Sequence, residues 1–120
     1  MIEFAPARPE DFAAFYPDGF PHTARAWSAR IDGQPVGLGG VAYRAEGPYL
    51  FSNVTAELKQ HPRAMVRAAR AFLAEQPHPV VAFADPDIPN SVRFLTLLGL
   101  AFLGVQPNGF ATFIWQGRAV

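Results

Sequence analysis

The chain has 120 residues, half of them apolar and 17% charged, which predicts one packed domain over residues 1–120 and excludes a disordered chain. Ten basic and ten acidic residues cancel, so we expect neither nucleic acid nor an anionic membrane as a partner. The absence of cysteine excludes disulfides, thiolate metal sites and cysteine nucleophiles. No apolar run approaches about 20 residues and no signal-peptide pattern opens the chain, so we expect a cytoplasmic protein.

The first half of the chain predicts a strand, a short helix and then an antiparallel meander. Pro9 opens the helix, since proline suits the first helical position. Asp32-Gly33 is typical of a two-residue hairpin turn. Glycines at 37, 39 and 40 indicate a close backbone approach or a bulge. The strands are predicted over residues 1–4, 23–31, 36–43 and 49–54.

The second half predicts two helices that alternate with strands. Apolar residues recur at the spacing of one buried face in a helix that starts at Pro62 and stops by Pro77. A continuous apolar run over 79–84 is typical of a strand buried on both faces. A second helix over 90–98 ends at Gly99, and two strands over 101–105 and 110–115 follow. This order predicts an α+β sheet with one helix-mediated crossover.

Several polar groups have both a functional and a purely structural interpretation. The stripe formed by Arg63, Arg67 and Arg70 either reaches an anion or forms a solvated helix face. The three histidines are too dispersed to form a metal motif, so we predict no metal site. The last strand is apolar on both faces, which indicates a contact with a second copy of the chain on the face that the fold leaves uncovered.

Four segments, in this order, resemble the GCN5-related N-acetyltransferase (GNAT) family over nearly the whole chain. The most specific is the asparagine-led helix that ends in Gly-Leu. The resemblance implies a mixed, mostly antiparallel sheet of six or seven strands with helices on both faces. The segments are Arg8–Phe12, Asp32–Gly40, Ser52–Leu58, which resembles the end of the fourth strand, and Asn90–Leu100.

The resemblance implies transfer of an acetyl group from acetyl-coenzyme A to an amine of unknown identity by direct attack. It implies that the strand ending at Val54 parts from the next strand and offers its backbone to pantetheine. It also implies that the pyrophosphate lies on N–H groups of the loop that opens the long helix, where the helix dipole favours anions. The implied cofactor-binding residues are Val54, Lys59, His61, Arg63, Ala64 and Asn90. Asn90 is equally suited to a plain helix cap.

Two departures from the family pattern bear on catalysis. Pro62 replaces a glycine of the phosphate loop and has no N–H to donate, although His61, Arg63 and Ala64 keep theirs. Leu95 stands where many members have a tyrosine that protonates the departing thiolate. Tyr49 remains as a candidate phenol, and Glu57 is a candidate general base or a plain surface acid.

These departures keep a second function open. The alternative is a catalytically degenerate GNAT-fold protein with an interaction or assembly role, for instance in a bacterial or phage particle. Side chains such as His61 or Phe51 filling the gap between the parted strands would favour this alternative. The segment between the first two strands, where the family places acceptor specificity, is brief here, so the acceptor cleft is expected to be wide or completed by another subunit.

Overall fold

The computed structural model describes residues 1–117 of the chain. The strands are β1 (Ile2–Pro6), β2 (Thr23–Ile31), β3 (Gln34–Arg44), β4 (Gly47–Val54), β5 (Val80–Ala84), β6 (Ala101–Val105) and β7 (Ala111–Trp115). The helices are α1 (Pro9–Phe15), α2 (Ala56–Lys59), α3 (Pro62–Ala74) and α4 (Ser91–Leu97). Among the described residues, no helix has the length and apolar character that crossing a membrane requires.

The strands form one 7-stranded sheet in the order β1-β2-β3-β4-β5-β7-β6. Every neighbouring pair is antiparallel except β4 and β5, which are parallel and joined by the crossover through α2 and α3. The predicted mixed sheet with a single crossover is therefore confirmed. Only the crossover places two parallel strands side by side, and the candidate site lies there.

Helices cover both faces of the sheet, but not equally. On one face, α1 packs through its aromatic side chains against Leu38, Ala42 and Phe51 of β3 and β4. On the other face, α3 and α4 pack against Ala82 and Phe113 of β5 and β7. We call these the α1 face and the α3 face. Since α1 lies over β2, β3 and β4, no helix of the described residues covers the α1 face of β5 and β7.

The hairpin turn between β2 and β3 and the end of α4 adopt the conformations that their residues predict. Asp32 and Gly33 both have positive φ, 50° and 80°, as a tight hairpin turn of the primed type requires. At the end of α4, Gly99 is left-handed with a φ of 92°. Its N–H donates to Thr96 O and the Leu100 N–H donates to Leu95 O, the pair of bonds that closes a helix at a left-handed glycine.

The glycines of β3 allow the close approach that the sequence predicts. A Cβ at Gly39 would lie 2.9 Å from the indole ring of Trp27, so the ring lies flat across β3 at this point. From there Trp27 contacts both apolar clusters of the α3 face. A bulge between β2 and β3 at Ala29/Arg30 supplies the predicted irregularity.

One prediction about the strands is wrong: β5 is buried on the α3 face only, because no helix of the described residues covers its α1 face. The strand predicted over residues 49–54 is confirmed in its end, since β4 stops at Val54. In the segment that resembles the end of the fourth strand, Thr55 instead starts the short helix α2, which was not predicted, by accepting the Leu58 N–H on its hydroxyl oxygen, at 3.4 Å. Strand β7 lies between β5 and β6, and whether its α1 face contacts a second copy stays a prediction.

A buried ion pair fixes α1 on the sheet. The Asp11 side chain is 0% exposed and accepts the Arg8 N–H at 2.8 Å and the Arg30 guanidinium of β2. Burial alone would raise the pKa of the Asp11 carboxyl. The hydrogen bonds from Arg8, Arg30 and Ser28 outweigh burial and hold that pKa below its ordinary value of 3.8. Asp11 is therefore a charged structural residue that holds the start of α1 against β2.

We expect Asp11→Asn to destabilise the fold by about 3 kcal/mol, because it leaves the Arg30 guanidinium without its buried partner. A carboxyl whose folded pKa lies below its unfolded pKa stabilises fully above the unfolded value and loses that contribution as the pH falls through the folded value. Urea unfolding between pH 7 and pH 2.5 should show this acid-dependent loss in the parent protein and not in the variant. Asp18→Asn, at an exposed turn, is the control. Equal stability of the two variants would contradict this role of Asp11.

Candidate functional site

Strands β4 and β5 share one register pair, Tyr49 with Val81, near the start of both strands. In contrast, β4 pairs with β3 along its whole length, from Gly47 to Val54. The pairing of the two parallel strands therefore ends at Tyr49, and toward Val54 no strand pairs with the edge of β4 that faces β5. We call this unpaired edge and the space beside it the gap, and it agrees at the level of the backbone with the parting of strands that the resemblance implies.

The register of β4 on β3 decides which backbone groups face the gap. The Thr55 N–H donates to Val36 O at 3.0 Å, which makes Thr55 and Val36 a hydrogen-bonded pair. Hydrogen-bonded and non-hydrogen-bonded pairs alternate along an antiparallel ladder. Val54 opposite Gly37 is therefore a non-hydrogen-bonded pair, and Ser52 opposite Gly39 is the next. The N–H and C=O groups of Val54 and Ser52 point away from β3, into the gap.

The predicted phosphate loop lies in the crossover that follows the unpaired end of β4. After β4, α2 runs to Lys59, Gln60 turns the chain, and Pro62 takes the first helical position of α3. The Arg63 and Ala64 N–H groups have no acceptor among residues 1–117. With no acidic side chain in its first turn, this end of α3 favours an anion.

The N–H of His61 is not available, contrary to the sequence prediction. It donates to Leu58 O at 2.9 Å, closing the turn that ends α2. The cradle at α3 therefore offers the N–H groups of Arg63 and Ala64, whereas His61 and Pro62 contribute none. The His61 side chain is exposed beside it.

An open depression of 490 Å³ lies over this cradle. Two members of the arginine stripe, Arg63 and Arg67, line the depression, whereas Arg70 is not among its lining residues. Lys59 is exposed at the last position of α2, just before the turn at Gln60. The depression is lined by Gln60, His61, Pro62, Arg63, Ala64 and Arg67.

The two side chains that would favour a closed gap lie elsewhere. Phe51 is buried on the α1 face, with its ring centroid 4.7 Å from that of Phe20 and 6.5 Å from that of Phe12. His61 is exposed on the loop that opens α3. The two named side chains therefore give no support to the degenerate alternative, which stays open.

The remaining sequence candidates are spread around the gap. Tyr49 lies on the α1 face where β4 and β5 are paired, whereas Glu57 is exposed on α2, after the unpaired end of β4. The structure therefore does not bring these two candidates together around one substrate. Asn90 occupies the N-cap position of α4 with a left-handed φ of 65°, yet its side chain makes no capping bond. Leu95 is buried in the core of the α3 face, so α4 supplies no proton donor there.

A polar and aromatic group on the α1 face was not predicted from the sequence. Burial raises the pKa of the Tyr16 phenol above its ordinary value of 10.0, against the lowering effect of a hydrogen bond with Asn53 of β4. The His22 ring meets the Tyr49 ring edge-on, at 6.0 Å between centroids. Only the tertiary fold brings these residues from the α1–β2 segment onto β4. No spacing pattern in the sequence predicts that these residues lie together.

No protein-family model matches this chain, and no curated protein is similar to it in sequence. Solved structures do match it. The ribosomal-protein-S18-alanine N-acetyltransferase of Escherichia coli superposes with a TM-score of 0.71 at 10% identity, over 100% of this chain and 96% of that one. A GNAT-family acetyltransferase of Streptococcus pneumoniae gives 0.68 at 14%, over 97% and 99%.

An aminoglycoside acetyltransferase solved with coenzyme A and kanamycin gives a TM-score of 0.62 at 9% identity, over 97% of this chain and 95% of that one. At these identities the superpositions establish the fold. The chain has the fold of the GNAT N-acetyltransferases, as its resemblance to the family implies.

Hydrogen exchange of the backbone amides tests the gap in the free protein. We expect the Ser52 and Val54 N–H groups to exchange much faster than those of Phe51 and Asn53, which point toward β3 and are paired with it. Fast and slow amides should therefore alternate over the end of β4 in a residue-resolved NMR experiment. Equal protection of all four amides would show that β4 and β5 are paired beyond Tyr49.

Proposed function

We propose that the protein is an N-acetyltransferase that takes its acetyl group from acetyl-coenzyme A and transfers it to an amine by direct attack. The observation that carries this proposal is the edge of β4 that has no pairing with β5 beyond Tyr49, followed in the same crossover by the start of α3. The first supplies backbone groups for an extended ligand, and the second supplies the free N–H groups of Arg63 and Ala64. An extended ligand with an anionic end fits this arrangement.

The gap suits the pantetheine arm because that arm carries amide groups. The N–H and C=O groups of Ser52 and Val54 face the gap and can pair with those amides as a neighbouring strand would. The adjoining side of β4 is already held by β3, so the ligand meets a rigid edge. Val54 contributes through its backbone, while its side chain packs with Ala29 and Leu58.

The cradle suits the pyrophosphate, with fewer backbone donors than the family pattern implies. The N–H groups of Arg63 and Ala64, the dipole of α3 and the guanidinium groups of Arg63 and Arg67 all favour an anion. Lys59 adds a positive charge before the loop. We propose no role in the cradle for the His61 N–H, because Leu58 O already accepts it. The His61 side chain and Asn90 remain proposed contacts at the rim.

The bound thioester would supply an electrophilic carbonyl carbon. The amine nitrogen forms the new bond to that carbon, the carbon–sulfur bond breaks, and the electron pair leaves on the thiolate. Backbone N–H groups of β4 facing the gap can donate to the carbonyl oxygen as negative charge grows there. Because Leu95 lies in the core, water or Tyr49 would have to protonate the thiolate, and Glu57 remains the candidate base for the amine. General acid help is worth about 10²- to 10⁴-fold, so its absence slows this reaction without preventing it.

Calorimetric titration with coenzyme A and, separately, with pantetheine tests the proposal. We expect both ligands to bind, and coenzyme A to bind more tightly. Pro62→Ala returns an N–H to the first turn of α3. It should tighten coenzyme A about tenfold, the worth of one hydrogen bond to a charged group, and leave pantetheine unchanged.

Two arginine variants provide a matched comparison. Arg63→Gln should weaken coenzyme A, because Arg63 lines the depression, whereas Arg70→Gln makes the same change on the same helix outside it. Absence of heat and of any thermal shift with millimolar coenzyme A would overturn the acetyltransferase proposal. The degenerate GNAT-fold protein with an interaction role would then be the better account.

A further inference from the structure

Arg44 ends β3 on the α1 face, and its side chain lies across the closed end of the gap. Its guanidinium carbon is 4.3 Å from the centre of the Tyr49 ring on β4 and 5.5 Å from that of the Phe83 ring on β5. Tyr49 belongs to the register pair that joins the two strands, and Phe83 lies two residues beyond its partner Val81. A positive charge is therefore held over the point where β4 and β5 begin to diverge.

Among the described residues, this charge has only one distant carboxylate as a partner. Among residues 1–117, Glu46 alone places a carboxylate within 4.0 Å of Arg44, with 3.9 Å between Nη1 and Oε2, and its side chain is 71% exposed. That separation is too long for a hydrogen bond. The Nε–H of Arg44 is buried and has no hydrogen-bond partner. The Nε–H is closed to a ligand, so an acceptor from outside can meet only the part of the side chain that stays exposed, 23% of it.

Arg30, whose role is structural, provides a comparison for the partners of the Arg44 guanidinium. Its Nε is also buried without a partner, but its guanidinium donates to the buried carboxylate of Asp11. Arg44 has the same kind of burial, with 23% of its side chain exposed, and no such carboxylate. The rings of Tyr49 and Phe83 hold the Arg44 guanidinium in place of an anion.

The surface around Arg44 is open to a ligand. The residues that face this side on β5 and β7 are only half-buried, because α1 covers β3 and β4 while α3 and α4 pack on the opposite face. They are Val81, Phe83, Thr112 and Ile114. A molecule lying against these strands can reach both the Arg44 guanidinium and the gap.

The chemistry of this site selects a carboxylate. A guanidinium pairs through two N–H groups with a carboxylate or a phosphate. The single positive charge of Arg44 neutralises the single negative charge of a carboxylate. It would neutralise only one of the two negative charges of a phosphate dianion. Resting on the proposed function, we propose that Arg44 binds a carboxylate group of the acceptor. The acceptor is then an amine that also carries a carboxylate.

Binding of 3-phenylpropionate and of its uncharged amide, followed by NMR titration without coenzyme A, tests this site. The acid should bind at least about tenfold more tightly than the amide to the parent protein, as expected for a hydrogen bond to a charged group. In Arg44→Gln the two affinities should agree within about twofold. Arg25→Gln, which removes an exposed arginine on the opposite face, should keep the parent preference.

Three results would overturn the proposal: equal affinities for acid and amide in the parent protein, an unchanged preference in Arg44→Gln, or tighter binding of phenyl phosphate than of the acid. Arg44→Lys keeps the charge but not the paired N–H groups, so it should lose part of the preference for the acid over the amide. It replaces Arg44→Gln in the test if that variant fails to fold. Coenzyme A titration of Arg44→Gln should match the parent protein. A failure of coenzyme binding would therefore remove the acetyltransferase proposal without altering the carboxylate result.

Discussion

The structure depends on the way β4 satisfies its backbone hydrogen bonds. One edge of β4 pairs with β3 over the whole strand, while the other edge pairs with β5 only at Tyr49. A sheet would normally close such a gap, since unpaired backbone groups are costly. Here α2 and α3 lead the chain away between the two strands. The cost is offset when water or a bound molecule pairs with Ser52 and Val54, and the proposed function assigns that place to the pantetheine arm.

The end of the gap at α3 shows a balance between helix stability and anion binding. Pro62 suits the first helical position because its φ is already fixed, and the turn before it is closed by the bond from the His61 N–H to Leu58 O. Both features make a rigid start to α3 and remove backbone donors. Arginine side chains at 63 and 67 provide charge in their place. The proposed phosphate site would thus rely more on guanidinium groups and less on backbone N–H groups than the family pattern implies.

Local signals in the sequence predicted most of the fold. The hairpin at Asp32-Gly33, the helix end at Gly99 and the start of α3 at Pro62 each follow from the conformation of a few residues. Helix α2 was not predicted because it spans only Ala56–Lys59, too short to show helical periodicity. The His61 N–H was misassigned because its acceptor is fixed by the path of a turn. Arg44 escaped notice because its partners lie on β4 and β5, and strand adjacency is not visible in local spacing.

The most direct test of the gap is an NMR measurement of intermolecular contacts in the complex with coenzyme A. If the account is right, the protons of the pantetheine arm will show nuclear Overhauser effects to the Ser52 and Val54 amide protons, in the order expected for a strand lying along β4. If coenzyme A binds but contacts only α3 and the protein surface, the gap between β4 and β5 is not its binding site. The central claim would then be wrong.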